Sequence, residues 1–285
     1  MLRLNAGSEG GNVPLFMDRH YIKGATQHAI QNAHTADLAV QDKYLVKFIT
    51  YWFDETRSTA FCLVDSPDRE SITHAHAEAH GEIPNEIIEV NPAVVEAFLG
   101  RIKDPAPPCE GSAERKNDSA FRTILCTDLQ ESTAMAVRLG DTRALHLLHV
   151  HNAITRNALK AHEGREARHT GDGIIASFTS AKRGVECAIA IQKMFRAHND
   201  QNPDDAMHVR IGLNAGEPIE EDNTLFGTTV ILAVRICAFA QPNGIVVSQL
   251  VRDECGESDF SFSEGLEAHL KGFDHPIGLA EVIWT

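Results

Sequence analysis

Two aspartates stand where carboxylates can do chemistry. Asp128 closes the β-rich apolar run Phe121–Thr127, and Asp172 sits in the tight turn Thr170–Gly171–Asp172–Gly173 that joins two strands, the second of them the apolar IIASF. A sheet pairing those strands brings both carboxylates to one edge. Hard oxygen ligands suit Mg²⁺ or Mn²⁺, and two such ions about 3.5–4 Å apart can activate an attacking oxygen and neutralise a leaving phosphate. An aspartate at a strand end or in a Gly-flanked turn is also an ordinary structural device, so spacing alone leaves both readings open. A second group lies earlier in the chain. His76 and His80 are spaced i,i+4 at the end of a helical stretch and share a face, and Asp18 and His20 alternate along a strand and share a side. Imidazole suits Ni²⁺, Zn²⁺ or Cu²⁺. His20, His76 and His80 are the candidate ligands, Asp18 and Glu82 weaker additions, and His74 lies off the shared face. The alternative is a set of solvated polar residues, with a protonated histidine favouring the helix C-terminus.

The elements that must position these residues fall into two groups. The chain has 285 residues, 43% of them hydrophobic, enough for two domains with cores of their own. The stretch RIKDPAPPCEGSAERKND, residues 101–118, mixes prolines, charges and small residues without periodicity and reads as a linker. Before it, apolar and helical runs follow in the order Pro14–His20, Gln27–Lys43, Val46–Phe53, Thr59–Val64, Pro67–His80 and Glu86–Val90. This βαββαβ order predicts a ferredoxin-like α+β domain over residues 13–100. Its second helix is expected to start at Ser66 as N-cap with Pro67 at the first position, and to stop before Gly81. After the linker, residues 119–285 read as a second α+β domain with an antiparallel sheet. It has helices over Ser132–Leu139, Thr142–His162, Ala181–His198 and Thr228–Ala240, and a last apolar run over Leu279–Trp284.

The net charge of −14 opposes binding to nucleic acid or an anionic membrane. No apolar run reaches the roughly 20 residues of a membrane span, and the N-terminus lacks a signal-peptide core, so the expected location is cytoplasmic. The six cysteines are scattered among mostly apolar neighbours, as buried thiols are, and no disulfides are expected.

From Phe121 to Trp284 the chain resembles class III adenylate/guanylate cyclases. The resemblance rests on five ordered blocks: TDLQEST followed by the Gly171–Asp172–Gly173 turn, RIGLNAGEP, FGTTVILAVR, PNGIVVS and LKGFDHPIGLAEV. It implies that Asp128 and Asp172 bind two ions, Mg²⁺ or Mn²⁺, with the Leu129 carbonyl as a further ligand. It further implies that the backbone of Gln130, Glu131, Ser132 and Thr133 receives the triphosphate of a nucleoside triphosphate. Arg235 would neutralise charge on the α-phosphate as the ribose 3′-hydroxyl attacks and pyrophosphate leaves. Such cyclases work as homodimers, with the metal aspartates of one chain facing the arginine of the other.

Three positions depart from that pattern. Arg168 stands where a base-reading lysine is usual, Thr228 where its partner aspartate is expected, and Ile231 where an asparagine orients the ribose. Arginine's planar fork does not reproduce a lysine's contact to adenine, and loss of one positioned polar group can cost about 10²–10³ in rate. The front segment, with PLFMDRHYIKG, KYLVKFITYWFDE, AFCLVDSPD and HAEAHGEIPNEIIEV, resembles a small bacterial ferredoxin-like family, formerly of unknown function, with a nickel-binding member. The resemblance implies Ni²⁺ or another transition metal in that domain. Arg168 and Thr228 leave the base open; the leading expectation is a homodimeric cyclase that converts a nucleoside triphosphate, ATP first, to a 3′,5′-cyclic nucleotide, with a front domain that senses a metal ion or another small signal. A regulatory module without turnover, or a metal-binding protein that uses the second domain to dimerise, are the rivals.

Overall fold

The computed structural model describes residues 13–104, 118–218, 220–221, 224–256 and 260–284. The chain forms two compact units, one containing residues up to Pro92 together with Ile102–Asp118, the other containing Ala93–Arg101 together with Ser119 onward.

In the first unit the order is β1 (Leu15–Tyr21), α1 (Gln27–Val40), a short 3₁₀ turn, β2 (Lys47–Asp54), β3 (Thr59–Asp65), α2 (Arg69–Ala79) and β4 (Glu86–Glu89). All neighbouring strands are antiparallel in the order β2-β3-β1-β4, the arrangement expected of a ferredoxin-like βαββαβ domain. Alternation along β1 and β3 directs Phe16, Ala60, Cys62 and Val64 into one core, where Ile30 of α1 and Ile72 and Ala75 of α2 cover them. The start of α2 differs from the expectation. Asp68 is the N-cap, its carboxylate accepting from Ser71 N, while the Ser66 hydroxyl bonds to the backbone of Asp68. Pro67 therefore precedes the helix. Gly81 does follow its end with φ +82°, as a residue without Cβ allows.

In the second unit α3 (Pro92–Leu99) comes first, followed by β5 (Arg122–Leu129), α4 (Ser132–Leu139), α5 (Asp141–Ala161), β6 (Arg165–His169), β7 (Ile174–Phe178), α6 (Ala181–Gln201), β8 (Val209–Gly216), the two-residue strands β9 (Glu220–Glu221) and β10 (Thr224–Leu225), α7 (Gly227–Phe239), β11 (Ile245–Ser248), α8 (Gln249–Cys255), β12 (Ser261–Phe262), β13 (Leu266–Ala268) and β14 (Ile277–Ile283). The main sheet runs β12-β14-β11-β8-β5-β7-β6, with β13 beside β14. It is not wholly antiparallel as expected, because β8 and β11 run parallel, joined by the crossover through α7. Odd-numbered β5 and β8 residues such as Leu125, Ile211 and Leu213 face a core closed by α5, α6 and α8. The opposite face packs on α7. Gly212 permits that approach, since a Cβ there would lie 2.2 Å from Cys237 N.

The segment that ends at Gly100, expected at the close of the front domain, groups instead with the second unit. The Phe98 carbonyl accepts from Arg122 Nε at 3.1 Å and Ser177 Oγ at 3.0 Å, and the Phe98 ring lies 5.2 Å from that of Phe226. Most of the expected linker, 105–117, lies outside the described residues. Among the described residues no helix is long and apolar enough to cross a membrane.

Candidate functional sites

Asp128 is the penultimate residue of β5 and sits opposite Arg210 of β8 in antiparallel register, on the face that α7 covers. Arg210 donates to Asp128 Oδ2 through Nε at 3.1 Å and through Nη2, while its Nη1 donates to Ala238 O at the end of α7. Asp172 reaches the same strand end through the β6–β7 turn. Thr170 N donates to Gly173 O across that turn, and Leu129 N donates to Asp172 O at 3.0 Å. Gly173 has no room for a side chain, because a Cβ would lie 2.0 Å from Thr127 O. The Asp172 carboxylate accepts from Ser132 Oγ at 2.7 Å, which ties the turn to the first residue of α4.

The Glu131 backbone is left-handed and its side chain provides no cap, so the first N–H groups of α4 have no side-chain acceptor. Such a helix start attracts anions. Of the four residues expected to meet a triphosphate, Gln130 has its N–H committed to His208 O, leaving Glu131, Ser132 and Thr133 at the open helix start. A backbone hydrogen bond thus ties the Asp172 turn to the end of β5 that carries Asp128, beside the same helix start, while Arg210 engages the Asp128 carboxylate.

The remaining expected residues lie elsewhere in the second unit. Arg168 is exposed on β6 opposite Ile175. Thr228 is in the first turn of α7, and Ile231 and Arg235 follow one turn apart. Ile231 is 43% exposed, and Arg235 donates through Nε to Lys271 O at 3.1 Å. The links Ser132–Asp172 and Arg210–Asp128 were not anticipated from sequence, although Arg210 opens a block already singled out.

In the first unit, β1 and α2 bring together Asp18, His20, His76 and His80. His76 is fully buried, with Nε2 3.0 Å from Asp18 Oδ2 and Nδ1 2.9 Å from Asp37 Oδ1. His80 Nε2 is 3.1 Å from the same Asp37 oxygen. Burial by itself would lower the His76 pKa, but Asp18 and Asp37 outweigh it and push it up to about 10. Asp18 is held well below the usual carboxylate range, because His76 and His20 offset the opposing effect of burial. Cys62 stands opposite Asp18 on β3, and burial followed by the two aspartates pushes its thiol up. His20 is 4% exposed and neither ring nitrogen has a hydrogen-bond partner; Nε2 lies 3.1 Å from Asp18 Oδ1 without the alignment a hydrogen bond requires. A buried imidazole with one nitrogen unpartnered and the other unaligned with its carboxylate, next to a thiol, fits a metal ion. Glu82 contributes only its N–H, to His80 Nδ1, and its side chain is exposed. Asp37 and Cys62 were missed. A signal existed for Asp37, an acid at i+7 from Ile30 and i+3 from His34 on the buried stripe of α1.

Comparisons with known proteins agree with this division. Residues 16–90 match the family model for the nickel responsive protein SCO4226-like, and residues 115–280 match that for the adenylate and guanylate cyclase catalytic domain. A relative from Rhizobium meliloti (strain 1021), named "Putative adenylate cyclase 3", is 37% identical over 126 residues, 44% of this chain and 21% of its own length. The chain thus spans about a fifth of that relative. A solved adenylate/guanylate cyclase/hydrolase from Silicibacter pomeroyi is 25% identical, with 57% of this chain and 96% of the other covered at a TM-score of 0.51. The adenylyl cyclase CyaB from P. aeruginosa shares the fold at 19% identity and TM-score 0.51, covering 57% of this chain and 93% of its own. The second unit carries the fold, the two aspartates and more than half of the chain's length in a single family match, and on that ground the chain belongs to the adenylate and guanylate cyclase catalytic domain family.

Proposed function

We propose that this chain is a cytoplasmic nucleotidyl cyclase, acting on ATP in preference to other nucleoside triphosphates and regulated by metal binding in its first unit. The observation that carries this reading is the placement of Asp128 and Asp172, joined through the Leu129 N–Asp172 O hydrogen bond, beside the uncapped start of α4. Asp128, Asp172 and the Leu129 carbonyl would hold two Mg²⁺ or Mn²⁺ ions, which supply activation of the ribose 3′-oxygen and charge neutralisation at the phosphates. The amides of Ser132 and Thr133 receive the triphosphate. The guanidinium of Arg235 faces the α-phosphate from the partner chain of a homodimer and stabilises the charge that develops there. Arg168 and Thr228 would line the base, in place of the family pattern's lysine and aspartate. The relative's printed name supports adenine over guanine.

In the first unit Asp18, His20, Cys62, Asp37, His76 and His80 would hold Ni²⁺ or another transition metal. Incubation of the purified chain with each nucleoside triphosphate and Mn²⁺ or Mg²⁺, with and without Ni²⁺, tests the proposal. ATP is expected to yield 3′,5′-cyclic AMP fastest, with Ni²⁺ changing the rate. Absence of cyclic product from every nucleotide removes the enzymatic reading.

A second reading has its own observation. Ile231 presents an exposed apolar side chain one turn before Arg235, and isoleucine itself has no polar group to orient a ribose. A module that binds nucleotide without converting it fits that feature, and nucleotide binding without product would favour it.

A further inference from the structure

The donors of the first unit form two sets that share one ring. On the Nε2 side of His76 stand Asp18, His20 and Cys62, all buried; on the Nδ1 side stand Asp37 and the partly exposed His80. Within each set the ligand atoms lie within 4.8 Å of one another. On the Nδ1 side the three separations are 2.9, 3.1 and 3.1 Å. Neighbouring donors around an ion with bonds of about 2.1 Å lie roughly 3.0–3.4 Å apart, so little movement is required.

Two features argue for an ion on each side rather than one ion and an orienting carboxylate. Buried His20 Nδ1 has no hydrogen-bond partner and Nε2 meets only Asp18 Oδ1, at 3.1 Å and without hydrogen-bond alignment, a state that ordinary packing disfavours. A carboxylate alone is enough to orient a metal-bound histidine through its other nitrogen. On the Nδ1 side, however, a second imidazole, His80, converges on the same carboxylate oxygen. It supplies a third donor that orientation does not need.

Resting on the reading that the first unit binds a transition metal, we propose that it binds two ions joined through the His76 ring, one among Asp18, His20, Cys62 and His76 Nε2, the other among Asp37, His80 and His76 Nδ1. The first set is closed, buried and includes the Cys62 thiol, which an ion would convert to a thiolate. The second offers three donors, of which only His80 reaches the surface, and leaves positions for water or a small ligand, so it is the more exchangeable one. Loading both releases the ring protons of His76 and the Cys62 thiol proton to solvent, and no electrons move.

The test uses the full chain, stripped with a chelator, loaded with Co²⁺ and desalted before the metal is counted by mass spectrometry. Differences between variants cancel any ion held by the second unit. His76→Ala is expected to lose two ions relative to the parent chain. Asp37→Asn should lose one and keep the thiolate-to-cobalt absorption, which Cys62→Ser should abolish. If His76→Ala fails to fold, His80→Ala at the rim carries the same test as Asp37→Asn. With Cu²⁺, coupling through the ring should weaken the electron paramagnetic resonance signal per copper in the parent chain compared with Asp37→Asn. Loss of one ion only from His76→Ala, or none from Asp37→Asn and His80→Ala, overturns the shared-ring site. Failure of the parent chain to bind any Co²⁺ that these variants remove would overturn metal binding by the first unit as well.

Discussion

Replacing Gly173 by alanine probes how narrowly the position of Asp172 is determined. The new Cβ would lie 2.0 Å from the Thr127 carbonyl oxygen and 3.0 Å from Thr170 Oγ1. Unstrained contacts begin near 3.5 Å, so the turn must shift by more than about 1 Å against backbone, which cannot yield as the tip of a long side chain can. Overpacking of this kind costs about 1–3 kcal/mol. For a unit of this size that lowers the Tm by about 2–12 °C. Asp172 moves with the turn, and a misplacement of about 1 Å at a reacting centre can cost about 10² in rate. Gly171→Ala is the control. Its φ is +104° but nothing lies within 4 Å of an added Cβ, so only the backbone cost of about 1–3 kcal/mol remains. Calorimetric melting, Mn²⁺ binding and cyclic-product formation would be measured for both variants. Gly173→Ala should lose Mn²⁺ affinity and about 10² in product formation, whereas Gly171→Ala melts lower with its metal site kept. A Gly173→Ala variant with parental melting and Mn²⁺ binding refutes the contact argument.

Mixing Asp128→Asn with Arg235→Ala chains, each expected to be inactive alone, should restore up to about a quarter of parental product formation if random heterodimers carry one intact site; no restoration counts against a shared site. Ile231→Asn should raise turnover, by as much as about 10²–10³ if ribose orientation is the missing element, and an unchanged rate in the product assay argues that the site is limited elsewhere. Burial, only partly offset by the Asn152 hydrogen bond, holds the His151 imidazole below its ordinary value. The unfolded chain therefore protonates first, and the second unit should lose stability as the pH falls below about 6.5, until the folded-state value is passed. Melting scans between about pH 7.5 and 5.5 should show a smaller drop for His151→Leu, and an equal drop rejects the assignment.

Much of this was legible locally. The βαββαβ order was readable from alternation and breaks, because strand and helix periodicities are properties of contiguous residues. The i,i+4 pair His76 and His80 and the Asp172 turn were readable for the same reason. The true N-cap Asp68 lay two residues beyond the expected one, since Ser66 and Asp68 compete for the same turn and only the backbone path decides which caps the helix. The segment ending in α3 was assigned by its place before the proline-rich break, but its partners Arg122 and Ser177 lie 23 or more residues away along the chain.

Residue order alone says which residue types are available and which share a face: two carboxylates at strand end and turn, two imidazoles on α2, an aspartate and a histidine on β1. Tertiary structure decided which of them meet. Strand register set Cys62 opposite Asp18 and Arg210 opposite Asp128, and the packing of α1 against α2 delivered Asp37 to the second nitrogen of His76. Those contacts join residues 39 to 82 positions apart, and no local periodicity encodes a separation of that length, because register and helix packing are settled only when the whole core closes.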